Sequence, residues 1–271
     1  MMIANVLSIA GTDPTGGAGI QADLKTFSAM GAYGMAAVTA VVAQNTSGVR
    51  AFQALDPAFV ADQIDAVFDD VRVDVVKIGM VATAGIANAI ANCMVRHKPA
   101  RIVLDPVMVA KSGDLLLQPD AVEAMREVLT PMATVITPNL PEAGVLLGRE
   151  SPASREAMRE ALPELLALGP QWVLLKGGHL PGAEILDILY GEQETMDITG
   201  PRISTNNLHG TGCALSAALA ALMARFDVPE SARRARSWLT DALIHSAELS
   251  VGKGKGPVHH FHALWPPAAS S

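Results

Sequence analysis

The segment Asn206-Asn207-Leu208-His209-Gly210-Thr211-Gly212-Cys213-Ala214-Leu215-Ser216 gathers groups able to do chemistry. Glycines and a threonine run straight into Ala214–Met223, a strong helix former. A helix start carries unpaired N–H groups and the positive end of a dipole. Glycines there let an anion reach the backbone, so the segment reads as a phosphate or oxyanion cradle. Cys213 falls in the first helical turn, where the dipole lowers a thiol below its free pKa of about 8.5. That predicts enough thiolate to act as a base or nucleophile. The competing reading is a cysteine packed in a Gly-rich helix contact. A cysteine hydrolase pairing Cys213 with His209 is disfavoured. His209 precedes the helix, so helical spacing does not orient it, and no third group is evident.

More chemistry sits where short apolar runs end. Val6–Ile9 leads to Gly11-Thr12-Asp13-Pro14-Thr15-Gly16-Gly17-Ala18-Gly19, and Ala36–Val42 leads to Gln44-Asn45. Val73–Ile78 leads to Gly79-Met80, and Arg101–Leu104 leads to Asp105-Pro106-Val107-Met108. Thr134–Thr137 leads to Pro138-Asn139-Leu140-Pro141-Glu142, and Trp172–Leu175 leads to Lys176-Gly177-Gly178-His179. Six consecutive strand ends with polar, Gly or Met residues favour a ligand cleft on that rim of a sheet.

The first of these loops admits several readings. Gly17-Ala18-Gly19-Ile20-Gln21-Ala22 fits the dinucleotide pattern G-x-G-x-x-A. That pattern needs an acid at the end of the second strand, where Gln44 stands, and Gly11 lies too far from Gly17 for its tight first turn. The remaining readings are a loop capping helix Ile20–Met30 and a substrate-covering loop whose glycines allow close backbone approach. G-x-x-x-x-G-K-[ST] occurs nowhere, so a P-loop is excluded.

The elements that must hold these residues follow from periodicity. The apolar runs read as strands buried on both faces of a parallel sheet. Asp56-Pro57 predicts an N-cap and first turn, followed by an apolar face of Phe59, Val60, Ile64, Val67 and Phe68. Ile86, Ile90, Cys93 and Met94 mark the next helix, which makes Cys93 a packing residue. Pro163 inside Arg155–Leu168 is expected to kink or split that helix. Ile185–Tyr190 and Thr195–Thr199 read as late, antiparallel edge strands. Helices over Gly212–Arg225 and Glu230–Ser250 close the chain. The expected architecture is α/β, a three-layer open, mostly parallel sheet with helices on both faces. No linker divides it, so residues 1–271 are assigned to one domain, with residues 264–271 a frayed tail.

The chain has 271 residues, half of them hydrophobic and 17% charged, which excludes intrinsic disorder. A net charge of −7 argues against a nonspecific nucleic-acid partner and superficially against an anionic substrate. Two cysteines make no disulfide framework, so a reducing cytoplasm is expected. No signal peptide and no run long enough to span a membrane is evident. His259-His260-Phe261-His262 resembles a metal tract, but the favoured reading is a structured C-terminal segment. Arg233, Arg234 and Arg236 read as a solvated helix face or a subunit contact.

Taken in order, these segments resemble the hydroxymethylpyrimidine/phosphomethylpyrimidine kinases of thiamine biosynthesis, in the ribokinase-like superfamily. The resemblance runs from Ala10–Thr26 through Ala43-Gln44-Asn45-Thr46, Lys77–Met80, Leu104–Met108, Lys111-Ser112-Gly113, Thr137–Ala143 and Leu175–His179 to His209–Cys213. Thr12 and Thr15 stand where many members have Ser, and each keeps the hydroxyl. The resemblance implies ATP-dependent phosphorylation of 4-amino-5-hydroxymethyl-2-methylpyrimidine and then of its monophosphate. Pyridoxal kinase activity is the alternative on the same fold. It implies that Cys213 holds the catalytic position, with Gly210, Thr211 and Gly212 offering N–H groups to the transferring phosphoryl. Lys176, Asn139 and Thr211 would bind ATP, and Glu142 with Asp105 would hold Mg²⁺, largely through waters. Gln44 would read the pyrimidine, since an amide offers both donor and acceptor. Gly11, Asp23, Met80 and Val107 are further substrate-pocket candidates. A small-molecule substrate, ATP, a cytoplasmic location and a homodimer complete the expectation.

Overall fold

The structure is a computed structural model describing residues 2–108 and 119–265. Lys111-Ser112-Gly113 and the part of the expected tail from Pro266 lie outside those residues. The first half of the chain forms β1 (Asn5–Ala10), α1 (Gly19–Ala29), β2 (Tyr33–Val38), β3 (Ala40–Asn45), β4 (Gly48–Ala54), α2 (Pro57–Asp70), β5 (Val75–Ile78), α3 (Ala84–His97) and β6 (Ile102–Leu104). The second forms α4 (Pro119–Ala124), β7 (Val135–Ile136), α5 (Leu140–Leu147), α6 (Arg155–Leu166), β8 (Trp172–Lys176), β9 (Glu184–Gly191), β10 (Thr195–Pro201), α7 (Thr211–Met223) and α8 (Val228–Ile244).

Eight strands make one sheet in the order β10-β9-β8-β7-β6-β5-β1-β2. Pairing is parallel from β2 to β8, and β9 and β10 are antiparallel, as expected, but only β10 is an edge, since β9 is paired on both sides. Successive strand residues point to opposite faces, so neighbours enter different cores. Leu7, Val76, Ile102, Ile136 and Val173 face α2, α3, α5 and α6. Val6, Val75, Val103, Val135 and Leu174 face α1, α7 and α8. Both faces are therefore dry, which is why these strands read as unbroken apolar runs.

Ala214 through Met223 are all buried in α7, and the many alanines let neighbouring helices approach closely. Asp56 caps α2 through Ala58 N at 2.9 Å, worth about 1 kcal/mol.

Four local expectations change. The run Ala36–Val42 is not one strand: the chain bends at Thr39, whose hydroxyl donates to Met80 O at 2.6 Å. Beyond it, β3 leaves the main sheet and pairs with β4 as a separate two-stranded flap. Phe59, expected in the core, is exposed. Pro163 lies inside a helix that continues past it to Leu166, so it does not split α6. Arg236 leaves the basic run: it is buried with its Nε 2.9 Å from Asp187 Oδ2, while Arg233 and Arg234 pair with Glu230 at the surface.

Candidate active site

The strand order reverses at β1, which has β2 on one side and β5 on the other. Open α/β sheets bind ligands outside the carboxyl ends of their strands at such a point. A cavity of about 140 Å³ lies there. Gly11 follows β1, Met80 follows β5, Val107 follows β6, Ala18 ends the glycine loop and Gly19 opens α1. The flap adds Val42, Gln44, Val49 and Phe52, and Cys213 comes from α7. Sequence reasoning had named Gly11, Gln44, Met80, Val107 and Cys213, and the fold brings these five together. A second opening of about 190 Å³, between α6 and β9, offers little: its charged residues Arg155 and Glu184 pair with each other at 2.9 Å.

Asp23 does not line this cavity. It is fully buried on α1, where both carboxylate oxygens face Lys77 Nζ at 2.9 and 3.1 Å. Ser8 Oγ donates to Asp23 Oδ2 at 2.6 Å. Lys77 itself reaches the cavity wall. Burial alone would lower its ammonium, but Asp23, Cys213 and Asp105 together raise its pKa and keep it charged. Sequence reasoning passed over Lys77 although the signal was present. A lysine inside the apolar run Val75-Val76-Lys77-Ile78 must have a buried partner.

The start of α7 is built as expected in outline. Gly210 is its N-cap in the left-handed conformation, φ +73°, and a Cβ there would lie 1.7 Å from Gly17 O. Only glycine fits. Both polar groups of Thr211 turn back on Leu208 O, the amide at 3.4 Å and the hydroxyl at 3.2 Å. Gly212 faces Lys176 and Asp105: a Cβ on it would sit 3.4 Å from Lys176 Nζ and 3.7 Å from Asp105 Oδ2.

Asp105 is a hub within the protein. Its Oδ1 accepts from Lys176 Nζ at 3.1 Å and Thr137 Oγ1 at 3.0 Å, and its Oδ2 accepts from Ser216 Oγ at 3.1 Å. Burial would raise its pKa, but Lys176 and Lys77 outweigh that and hold it low. Glu142 and Asn139 form a capping box at the start of α5, with Asn139 Oδ1 accepting from Glu142 N at 2.9 Å and Glu142 Oε2 accepting from Asn139 N at 2.8 Å. Burial, reinforced by Asp105 and opposed by Lys176, raises Glu142 to about 7. Among the described residues no group of three or more His, Cys, Asp or Glu could hold a metal by itself. The buried carboxylates of Glu142 and Asp105 still suit Mg²⁺, which is bound by few protein ligands. Glu142 is the better donor, because Asp105 already serves three protein partners. The histidine tract is structured instead, with His259 and His260 buried.

Cys213 is half-buried and lines the cavity. The expected thiolate is corrected. Burial pushes the thiol up to about 11, with Asp23 and Asp105 adding to it and Lys77 and the Gly19 N–H opposing. Lost hydration leads the shift, and the two carboxylates add to it. The alkylation rate of Cys213 by iodoacetamide is therefore expected to climb about tenfold per pH unit and to be still rising at pH 10, because only the thiolate reacts. A plateau near pH 8.5, read by mass spectrometry across pH 6–10.5, would contradict the shift. His209 is not a base for this sulfur, since its Nε2 is engaged by Asp13 Oδ2 at 2.7 Å.

A parallel sheet with a switch-point cavity, a glycine-opened helix start and a lysine–carboxylate hub beside it defines an open α/β fold with a small-molecule site. Comparison with known proteins narrows that class. The phosphomethylpyrimidine kinase family model matches residues 13–259. The hydroxymethylpyrimidine/phosphomethylpyrimidine kinase of Salmonella typhimurium is 52% identical over 266 residues, covering 98% of this chain and 100% of that protein. The crystal structure of phosphomethylpyrimidine kinase from Clostridium difficile superposes with a TM-score of 0.80 at 41% identity, covering 89% of this chain and 99% of that one. The ADP complex of Bacillus subtilis pyridoxal kinase gives 0.89 at 36% identity, covering 97% and 99%. The chain belongs to the phosphomethylpyrimidine kinase family. The fold is shared with pyridoxal kinases, and the higher sequence identities lie with the pyrimidine kinases.

Proposed function

We propose that this protein transfers the γ-phosphoryl of ATP to the hydroxymethyl group of 4-amino-5-hydroxymethyl-2-methylpyrimidine, and then phosphorylates the monophosphate to the diphosphate. One observation carries the reading: Gln44 and Cys213 line a single cavity, and two residues before Ala214 the helix start turns Gly212 toward Lys176. Gln44 can pair with a ring nitrogen and the exocyclic amine at once. The acceptor hydroxyl lies by Cys213, and the ATP phosphates lie along Lys176, Asn139 and the α7 N-terminus.

In a loose phosphoryl-transfer transition state the acceptor proton leaves late, passing to an oxygen of the newly transferred phosphoryl group and then to water, so no strong base is required. A thiol raised to about 11 serves better as an S–H donor toward the charge developing on the phosphoryl oxygens. The N–H of Gly212, beside Lys176, serves the same charge, while that of Thr211 is taken by Leu208 O. Glu142, with Asp105 behind it, would hold Mg²⁺ largely through waters, and the ion would supply positive charge against the phosphates. The whole chain acts as one kinase unit, in the cytoplasm and as a homodimer, by the same family resemblance.

The test is ADP release from purified protein with MgATP and each of the pyrimidine alcohol, its monophosphate and pyridoxal. Turnover of pyridoxal without turnover of either pyrimidine would overturn the reading. Gln44→Leu is expected to lower kcat/KM for the pyrimidine alcohol by about 10- to 100-fold with KM for ATP little changed. Equal losses toward both substrates would remove Gln44 as the pyrimidine reader.

A further inference from the structure

Asp13 and His209 stand 196 residues apart in the chain, yet their side chains meet at 2.7 Å. Asp13 is fully buried. Besides His209 it accepts from Thr15 N at 2.9 Å, Thr15 Oγ1 at 2.8 Å, Gly17 N at 3.0 Å and Ala18 N at 2.8 Å. Its own N–H donates to Gln21 Oε1 at 2.7 Å, which fastens the loop to α1. Five donors on one carboxylate fix the course of residues 13–18. Burial would raise Asp13, and these donors, led by His209, hold it well below the usual carboxylate range.

The other end of the pair belongs to the phosphoryl cradle. His209 is followed directly by Gly210, the left-handed cap of α7, and its N–H donates to Gly256 O at 2.9 Å. The two backbones touch: a Cβ on Gly17 would lie 2.5 Å from His209 Cδ2, and one on Gly210 would collide with Gly17 O. Ala18 and Gly19 then line the substrate cavity, and the Gly19 N–H reaches the Cys213 sulfur. The loop over the acceptor and the cradle for the phosphoryl are thus joined through one charged hydrogen bond. The imidazole is partly exposed, with 19% of its side chain accessible, so it is not a core packing element.

We propose that Asp13 and His209 are positioning residues for phosphoryl transfer: their pairing latches the substrate-covering glycine loop onto the start of α7, so that acceptor and cradle keep one geometry. This rests on the kinase reading above. A displacement of about 1 Å between reacting groups costs on the order of 100-fold in rate, whereas a bond serving folding alone would leave the rate per folded molecule unchanged.

The experiment compares His209→Leu, which removes the donor, with His209→Gln, whose amide nitrogen reaches about as far as Nε2. Folding is followed by circular dichroism, and rates are counted per folded molecule. The expected result is a kcat about 30-fold lower in the Leu variant with KM for ATP within about twofold, and recovery to within about fivefold of wild type in the Gln variant. Unchanged kcat in His209→Leu overturns the proposal. So does an equal loss in both variants, or a loss that vanishes when rates are counted per folded molecule. Should the Leu variant not fold, His209→Asn, polar but too short to span the gap, is held to the same expectations. Wild-type turnover is measured first. If it is absent, the kinase reading fails separately, and the latch is judged by Cys213 alkylation. That rate should rise about threefold or more in the Leu variant and not in the Gln variant, and equal rates overturn the proposal.

Discussion

Replacing Cys213 by alanine is expected to lower turnover by about 100-fold or more while leaving pyrimidine binding in place. Cys213 is one of many residues lining the cavity, so its loss removes a donor and little apolar contact. Alanine continues the small-residue character of α7, whose next ten residues are all buried, so the helix start is not expected to move. Cys213→Ser separates the two roles open to the thiol. A donor role predicts that the serine hydroxyl keeps at least about a tenth of the activity, since it can also donate to a developing oxyanion. A thiolate-base role predicts loss as complete as in alanine, because a serine hydroxyl does not ionise at working pH. ADP release measures the rate and titration calorimetry the binding. Near-full turnover in Cys213→Ala would remove the residue from the mechanism.

Lys77→Met is expected to cost about 3–5 kcal/mol of stability, the usual penalty for leaving one partner of a buried ion pair alone. Both side chains of the Lys77–Asp23 pair are fully buried, and methionine fills nearly the volume that lysine leaves. The deficit comes from Asp23, which keeps only Ser8 Oγ. Burial raises the Asp23 pKa, so in the variant the carboxyl takes up a proton on folding. A folded-state pKa above the unfolded value of about 3.9 means stability lost as pH rises, so the deficit should be larger at pH 8 than at pH 5. Adding Asp23→Leu to Lys77→Met is expected to recover most of it, since a buried pair replaced by apolar groups is often neutral. Urea unfolding of the three variants at both pH values checks each statement. A Lys77→Met variant as stable as wild type at pH 8 would show that the pair contributes nothing.

The layered sheet was legible because its residues obey one rule, burial on both faces, and because β1, β5, β6, β7 and β8 each end in a chemically distinct loop. The flap was not. Every residue of β4 but the last is exposed, so it carries no apolar alternation to read. Its only sequence signal is the turn Thr46-Ser47-Gly48. The bend at Thr39 is set by bonds to Ala10 O and Met80 O, which no local pattern reveals. Within the site, Gln44 and Cys213 could be singled out from their own surroundings. Asp23 was misassigned to the pocket because its partner Lys77 lies 54 residues away. The sign of the Cys213 shift also depended on tertiary neighbours: the helix start is local, but Asp23, Asp105 and Lys77 come from three other elements. The net charge of −7 likewise averages over a surface that says nothing of Lys176, Lys77 and the α7 N-terminus at one rim.

The raised thiol has a consequence for life under peroxide. Sulfenic acid forms from thiolate, and a thiol at about 11 is ionised in only roughly one molecule in ten thousand at pH 7. Cys93, the other cysteine, is buried, and burial raises it too. Both upward shifts would slow oxidation, so this kinase is expected to keep working at oxidant levels that silence enzymes built on an ionised cysteine.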